Sequence, residues 1–287
     1  MSATAALLPD GRLHLQDGPI DLVIQAWGTA AEVQAAYAQA ATAFPAALPA
    51  LVAELTHLRT PLPTAKPSGE IARSMHAAVT PYIATTISPM AAVAGAVADH
   101  ILAALTQGRT LGKAYVDNGG DIAFHLTAGH ILKAGLVANL QTPILDATTT
   151  LHPHHPGRGL ATSGRACKGQ GGRSFSFGIA DAVTVLARTA AEADAAATVI
   201  ANAVDLPHHP AIVRRPACDI DPDTDLADRR ITWDLLPIAA HDIIAALDAG
   251  RRVADTLLEA GLIGGAVLVL RGHFAATGQA LTQLDPA

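Results

Sequence analysis

Residues 190–204 read Ala-Ala-Glu-Ala-Asp-Ala-Ala-Ala-Thr-Val-Ile-Ala-Asn-Ala-Val, a run with no glycine or proline in which most side chains are single methyl groups. Alanine is the best helix former, so the run predicts a helix. A helix this thin leaves little bulk to fill space, and whatever packs on it must come close. The same constraint holds along the chain. Half of the 287 residues are hydrophobic, yet only 3% are aromatic. Such a core demands closely approaching helices and β-branched strands, not clusters of rings. The length suits one compact unit or two intimately packed halves.

Leu13 to Ile24 alternates loosely and reads as a hairpin turning at Asp17-Gly18, with 21–25 as its second strand. Thr29 is placed to cap a helix over 30–44, which Pro45 and Pro49 interrupt before it resumes towards Leu58. Glu70 to Val79 predicts a helix, and Ser88-Pro89 the capped start of another reaching Leu105. The 87–105 run is the most membrane-like, but Asp99-His100 inside it and its Ala/Gly character favour a buried helix. Strands are expected at 114–117 and 121–126, because Asn118-Gly119 between apolar runs tolerates the positive φ of a tight turn. Further strands are expected near 131–140, 173–178, 182–187 and 266–270, helices over 190–204 and 237–260, and loop over most of 206–230. Strand pairs between long helices predict an α+β or layered α/β fold, with sheets packed on Ala-rich helices.

Three segments have the residues for chemistry. In Tyr115 to Ile122, Gly119-Gly120 lies between Asp117 and Asp121. Glycines let a backbone approach a ligand, and N–H groups there would hold a phosphate or carboxylate. A plain hairpin turn accounts for the same residues. Gly159 to Gly164 followed by Gly169 to Ser174 supplies small hydroxyls and glycines, an anion-friendly loop or a plain surface loop. It carries neither the Gly-Lys-Ser/Thr of a phosphate loop nor a dinucleotide fingerprint. Asp194 and Thr198 are four positions apart and would share a helix face, where a carboxylate and a hydroxyl suit a hard cation such as Mg²⁺. An aspartate favouring the helix dipole, with a threonine bonded back to its helix, is the simpler structural account.

Other groups point to structure rather than chemistry. His152, His154, His155 and the pair His208-His209 lack a His-Glu-x-x-His or paired-cysteine context and read as solvated loop histidines. Asp219, Asp221, Asp223 and Asp225 alternate, but Thr224 and Arg230 stand where a calcium loop needs glycine and glutamate, so an acidic turn is expected. Cys167 beside Lys168 has no histidine placed by sequence to activate it. Two cysteines make no disulfide framework, and the first ten residues lack a basic n-region, so a reduced, cytoplasmic protein is expected. A net charge of -6 offers no extended basic face, which argues against nucleic acid as a partner.

In order along the chain, Ser88 to Ala96, Asn118-Gly119-Gly120-Asp121-Ile122, Ala161-Thr162-Ser163-Gly164 and Ser174 to Val185 resemble the UPF0280 family, a bacterial and archaeal branch of the ApbE-like superfamily. Gly18 to Leu22 and Asp221 to Leu226 fit as well, so the resemblance covers nearly the whole chain. It implies an ApbE-like fold. The wider superfamily includes magnesium-dependent enzymes that move FMN from FAD onto a protein threonine, using a Gly-Gly-Asp turn, a Thr-Ser-Gly segment and an Ala-Asp-x-x-x-Thr helix. The resemblance therefore implies Asp194 and Thr198 as Mg²⁺ ligands. It implies Asn118, Gly119, Gly120, Asp121, Thr162, Ser163 and Gly164 as contacts of FAD or FMN. Those transferases also carry a His-x-x-Asp-Pro segment, whereas residues 173–185 hold no histidine and no Asp-Pro. Asp181 is the best visible substitute base. The expectation is a metal-assisted enzyme acting on a flavin nucleotide or another phosphorylated or carboxylated small molecule, either transferase-like or a hydrolase. The alternative is a non-catalytic ligand-binding or assembly protein that keeps the pocket. No membrane partner is expected, and a homodimer is compatible with the chain.

Overall fold

The computed structural model describes residues 3–136, 147–164, 175–222, 224, 226–278 and 285–286. Its strands are β1 (Thr4–Leu7), β2 (Leu13–Asp17), β3 (Ile20–Trp27), β4 (Lys113–Asn118), β5 (Asp121–Leu126), β6 (Leu132–Leu136), β7 (Ala147–Leu151), β8 (Gly159–Ser163), β9 (Ala182–Ala187), β10 (Ile212–Pro216), β11 (Arg230–Leu235), β12 (Gly265–Leu270), β13 (His273–Thr277) and β14 (Asp285–Pro286). Its helices are α1 (Ala30–Ala43), α2 (Ala47–Ala53), α3 (Leu55–Leu58), α4 (Glu70–Val79), α5 (Val93–Thr106), α6 (Ala190–Ala203) and α7 (Ala240–Glu259). The fold is α+β, as expected. Two compact units form: Met1–Lys133 with Thr150–Ala161 and Ala187–Ala195, and Ala134–Thr149 with Thr162–Leu186 and Ala196–Ala287.

In the first unit β1, β2, β3, β4, β5 and β8 pair in that order, each pair antiparallel. The expected hairpin forms, with Gly18 at φ +54° in its turn. Strand alternation buries Ile20, Leu22, Ile24 and Ala26 of β3 on one face. Helix α5 packs on β4 and β5 and against α1. The small core predicted from composition is present: Ala36 and Ala40 of α1 and Ala96 and Ala98 of α5 are buried. Thr29 caps α1, its Oγ1 accepting from the Glu32 N–H at 3.3 Å. Pro45 sits in a 3₁₀ turn between α1 and α2, and Pro49 in the first turn of α2, where no N–H is missed. Pro89 likewise opens a 3₁₀ turn, so α5 starts at Val93, later than expected, and Ser88 makes no side-chain cap bond.

In the second unit β9 and β13 flank β12, antiparallel. Every residue of β9 and of β12 is buried, which explains why both read as unbroken apolar runs. Helix α7 packs on β12 and β13 through Ile243, Ala246, Leu247, Gly250, Ala254 and Leu257. β10 and β11 form a ribbon of their own with an irregularity at Val213/Arg214, and β7 lies between β6 and β14.

Two expectations are corrected. Residues 175–178, expected within a strand, are bound to the end of α6 instead. The Phe177 N–H donates to Asn202 Oδ1 at 2.9 Å, and the Ile179 N–H to the Val204 carbonyl at 2.7 Å. The loop expected over 206–230 contains β10, anchored by the Arg214 guanidinium, which holds both carboxylate oxygens of Asp205 at 2.6 and 2.7 Å. Cys167, Lys168, Gly169 to Ser174, Asp223 and Asp225 lie outside the described residues.

Candidate functional site

The β4–β5 turn is built as its sequence requires. Gly119 has φ +66° and Gly120 φ +102°, and no atom of the described residues lies within 4 Å of where a Cβ would stand on either. The glycines are therefore demanded by backbone conformation, and the turn faces open space. The Gly120 N–H donates to Asp117 Oδ1 at 2.8 Å. Burial raises the Asp117 pKa, with that hydrogen bond acting in the opposite direction. Asn118 Nδ2 donates to the Ala94 carbonyl at 3.1 Å, which ties the turn to the start of α5. Asp121 pairs across the ladder with Asn118.

The start of α5 is also where Asp194 comes. Its Oδ2 accepts from the Gly95 N–H at 3.1 Å, and the Ala94 N–H bonds to the same carboxylate. The relation is reciprocal. Asp99 of α5 accepts from the N–H groups of Ala190 and Ala191, at 3.0 and 2.9 Å, at the start of α6. Each helix thus supplies the carboxylate that satisfies the orphan amides of the other, where the helix dipole favours negative charge. Burial pushes Asp194 up to about 7, and the neighbouring Asp99 charge adds to the rise. Asp99 is pushed up to about 6, again by burial first. Gly95 makes this crossing feasible, since a Cβ there would stand 2.2 Å from the Ala190 carbonyl oxygen. Thr198 follows Asp194 by one helical turn and is half-buried. Among the described residues, no three His, Cys, Asp or Glu side chains are gathered in a way that could hold a metal ion.

In the second unit Thr162 Oγ1 and Thr184 Oγ1 are 2.9 Å apart. Gly164, at φ +137°, runs close to Asp181: a Cβ on it would stand 2.7 Å from the Asp181 carbonyl oxygen. The Asp181 carboxylate accepts from the Arg271 N–H, and its own N–H donates to the Val269 carbonyl at 2.9 Å. The structure thus brings Asn118 and Asp194 to one helix start, and Ser163-Gly164 to Asp181.

Sequence reasoning missed Asp99 and Gly95. Asp99 counted only as evidence against a membrane span, although a lone carboxylate within an apolar helix needs a partner, and that need was the available signal.

A family model described as AbpE bacteria matches residues 5–276. The chain belongs to that family. Curated relatives of this AbpE bacteria chain carry the name "UPF0280 protein". One from Methanothrix thermoacetophila is 41% identical over 118 residues, covering 41% of this chain and 46% of the relative. One from Methanoregula boonei is 39% identical over 121 residues, covering 41% and 47%. One from Methanopyrus kandleri is 37% identical over 149 residues, covering 50% and 53%. The matched stretch thus spans about half the length of these relatives. They support the UPF0280 resemblance that the motifs suggested.

Proposed function

We propose that this chain is an ApbE-like protein that binds a flavin nucleotide, or another phosphorylated or carboxylated small molecule, at the β4–β5 turn. The observation that carries this reading is the turn itself: two positive-φ glycines beside open space, tied by Asn118 to the start of α5. Thr162, Ser163 and Gly164, in the second unit, are ligand contacts that the resemblance implies, and the reading at the turn does not depend on them. Binding comes before turnover here because both carboxylates proposed for chemistry already accept backbone N–H groups, Asp194 from Ala94 and Gly95, Asp181 from Arg271.

A metal-assisted transfer or hydrolysis is the second reading, favoured by the one-turn spacing of Asp194 and Thr198. Mg²⁺ held there would neutralise phosphate charge and polarise the reacting bond. Asp181 would then serve as base. A cytoplasmic location and a homodimer belong to the same proposal.

A thermal-unfolding titration with FAD, FMN and Mg²⁺ tests both readings. A flavin present at 100 times its Kd stabilises by about 2.7 kcal/mol, a rise in Tm of about 5–10 °C. Gly119→Ala is expected to keep the fold and to lose at least half of that rise, because the added methyl group stands in the open space where the ligand is proposed to sit. No shift with either flavin sinks the flavin reading. Equal stabilisation by Mg²⁺ of the natural chain and of Asp194→Ala sinks the metal site.

A further inference from the structure

The segment joining β7 to β8 carries His152, His154 and His155 with their rings in contact. Ring centroids are 5.2 Å apart for His152–His154, 5.3 Å for His152–His155 and 4.7 Å for His154–His155. Arg158 folds the loop on itself, its guanidinium donating to the carbonyls of Pro153, His155 and Gly157 at 2.7–2.8 Å. One bond in the loop depends on the charge of a ring. The His152 N–H donates to His155 Nδ1 at 3.3 Å. A backbone N–H is always a donor, so this Nδ1 must offer a lone pair, and the ring must be neutral with its proton on Nε2. A second proton would go to Nδ1 and set one N–H against another.

We propose that the 152–158 loop is an acid-released latch, closed while His155 is neutral and opened when Nδ1 takes a proton. The surroundings make the closed state intolerant of the charge. Among the described residues, the titratable or charged groups acting on His155 are His154, His152 and Arg158, all in the loop, with no carboxylate from a neighbouring element. Burial first, and then these three, hold its pKa below the ordinary imidazole value. The latch therefore stays shut at neutral pH and needs a distinctly acid solution to open.

The loop is anchored at one end. The Arg158 N–H donates to the Ala187 carbonyl at 3.0 Å, and its carbonyl accepts from the Phe124 N–H at 2.9 Å. Opening thus frees residues 152–157 while Arg158 holds the start of β8. The same guanidinium that clamps the loop adds to the repulsion once His155 is charged.

Amide hydrogen exchange over 150–159, corrected for intrinsic rates, tests the latch at pH 8 and pH 5. His155→Asn puts an amide oxygen near the position of Nδ1, an acceptor that does not titrate. His155→Ala removes the acceptor. In the open loop an ordinary imidazole pKa of about 6.5 lies about 1.5 units above the lower pH, so protection of the His152 amide should fall by up to about thirtyfold in the natural chain. Protection should be unchanged by pH in His155→Asn and low at both pH values in His155→Ala. Constant protection in the natural chain overturns the proposal. So does an equal loss in His155→Asn, which would place the acid response elsewhere, and so does full protection at pH 8 in His155→Ala.

Discussion

Gly159→Ala and Gly95→Ala should each lower the unfolding free energy by about 3 kcal/mol or more, the cost of forcing a methyl group into a filled backbone contact. A Cβ on Gly159 would stand 2.0 Å from the Ala190 nitrogen, and one on Gly95 2.2 Å from the Ala190 oxygen. Both obstacles are backbone atoms, which cannot rotate away as a side-chain tip can. Relief requires the start of α6 to move, and that same start is held by the two hydrogen bonds from Ala190 and Ala191 to Asp99. The expected fall in Tm is about 6–12 °C for a chain of this size. Gly119→Ala is the control. Its new methyl meets nothing within 4 Å among the described residues, so the left-handed backbone is what penalises it, by about 1 kcal/mol. Urea unfolding followed by circular dichroism compares the three. A Gly159→Ala protein within 1 kcal/mol of the natural chain would show that α6 shifts freely, contrary to the packing described.

The second large effect lies on Asp194. Replacing it with alanine strands the Ala94 and Gly95 N–H groups at the start of α5, which costs about 1–3 kcal/mol. The cost depends on pH, and its sign follows from the raised pKa. Asp194 goes from an ordinary 3.8 to about 7 in the folded chain, and Asp99 from 3.8 to about 6. A group that binds its proton more tightly when folded contributes stability that is complete below its unfolded pKa and is lost as pH rises through its folded pKa. The natural chain should therefore lose stability between pH 5 and pH 8, on the order of 1–2 kcal/mol or about 2–8 °C in Tm. Asp194→Ala should cost most at pH 5 and least at pH 8. Asp194→Asn keeps an oxygen for the two amides and cannot ionise, so it should flatten the slope to the part due to Asp99. His155, with a lowered pKa, works with the opposite sign. The difference between the natural chain and Asp194→Asn therefore isolates the aspartate. A slope unchanged in Asp194→Asn would mean that Asp194 stays ionised throughout.

The sequence by itself determined the elements with strong local signals. Thr29 before an apolar-periodic run, Asp17-Gly18 and Asn118-Gly119 between alternating strands, and the alanine run at 190 each name their own structure through propensity and turn chemistry. It also pointed to the UPF0280 family, which the curated relatives support, because several motifs in a fixed order survive where single ones are ambiguous. Only the tertiary structure decided what Asp194 touches. Its spacing to Thr198 is local and legible, but its partner Gly95 amide lies 99 residues away on α5, at a crossing that Gly95 permits. The same holds for β8 and β10. Gly159-Leu160-Ala161-Thr162-Ser163 is poor in strand propensity and is a strand because β5 pairs with it, and β10 because β11 does. Local chemistry determined which segments could bend, coil or extend. Long-range hydrogen bonds and close backbone contacts decided which carboxylates hold the helices and which glycines face open space.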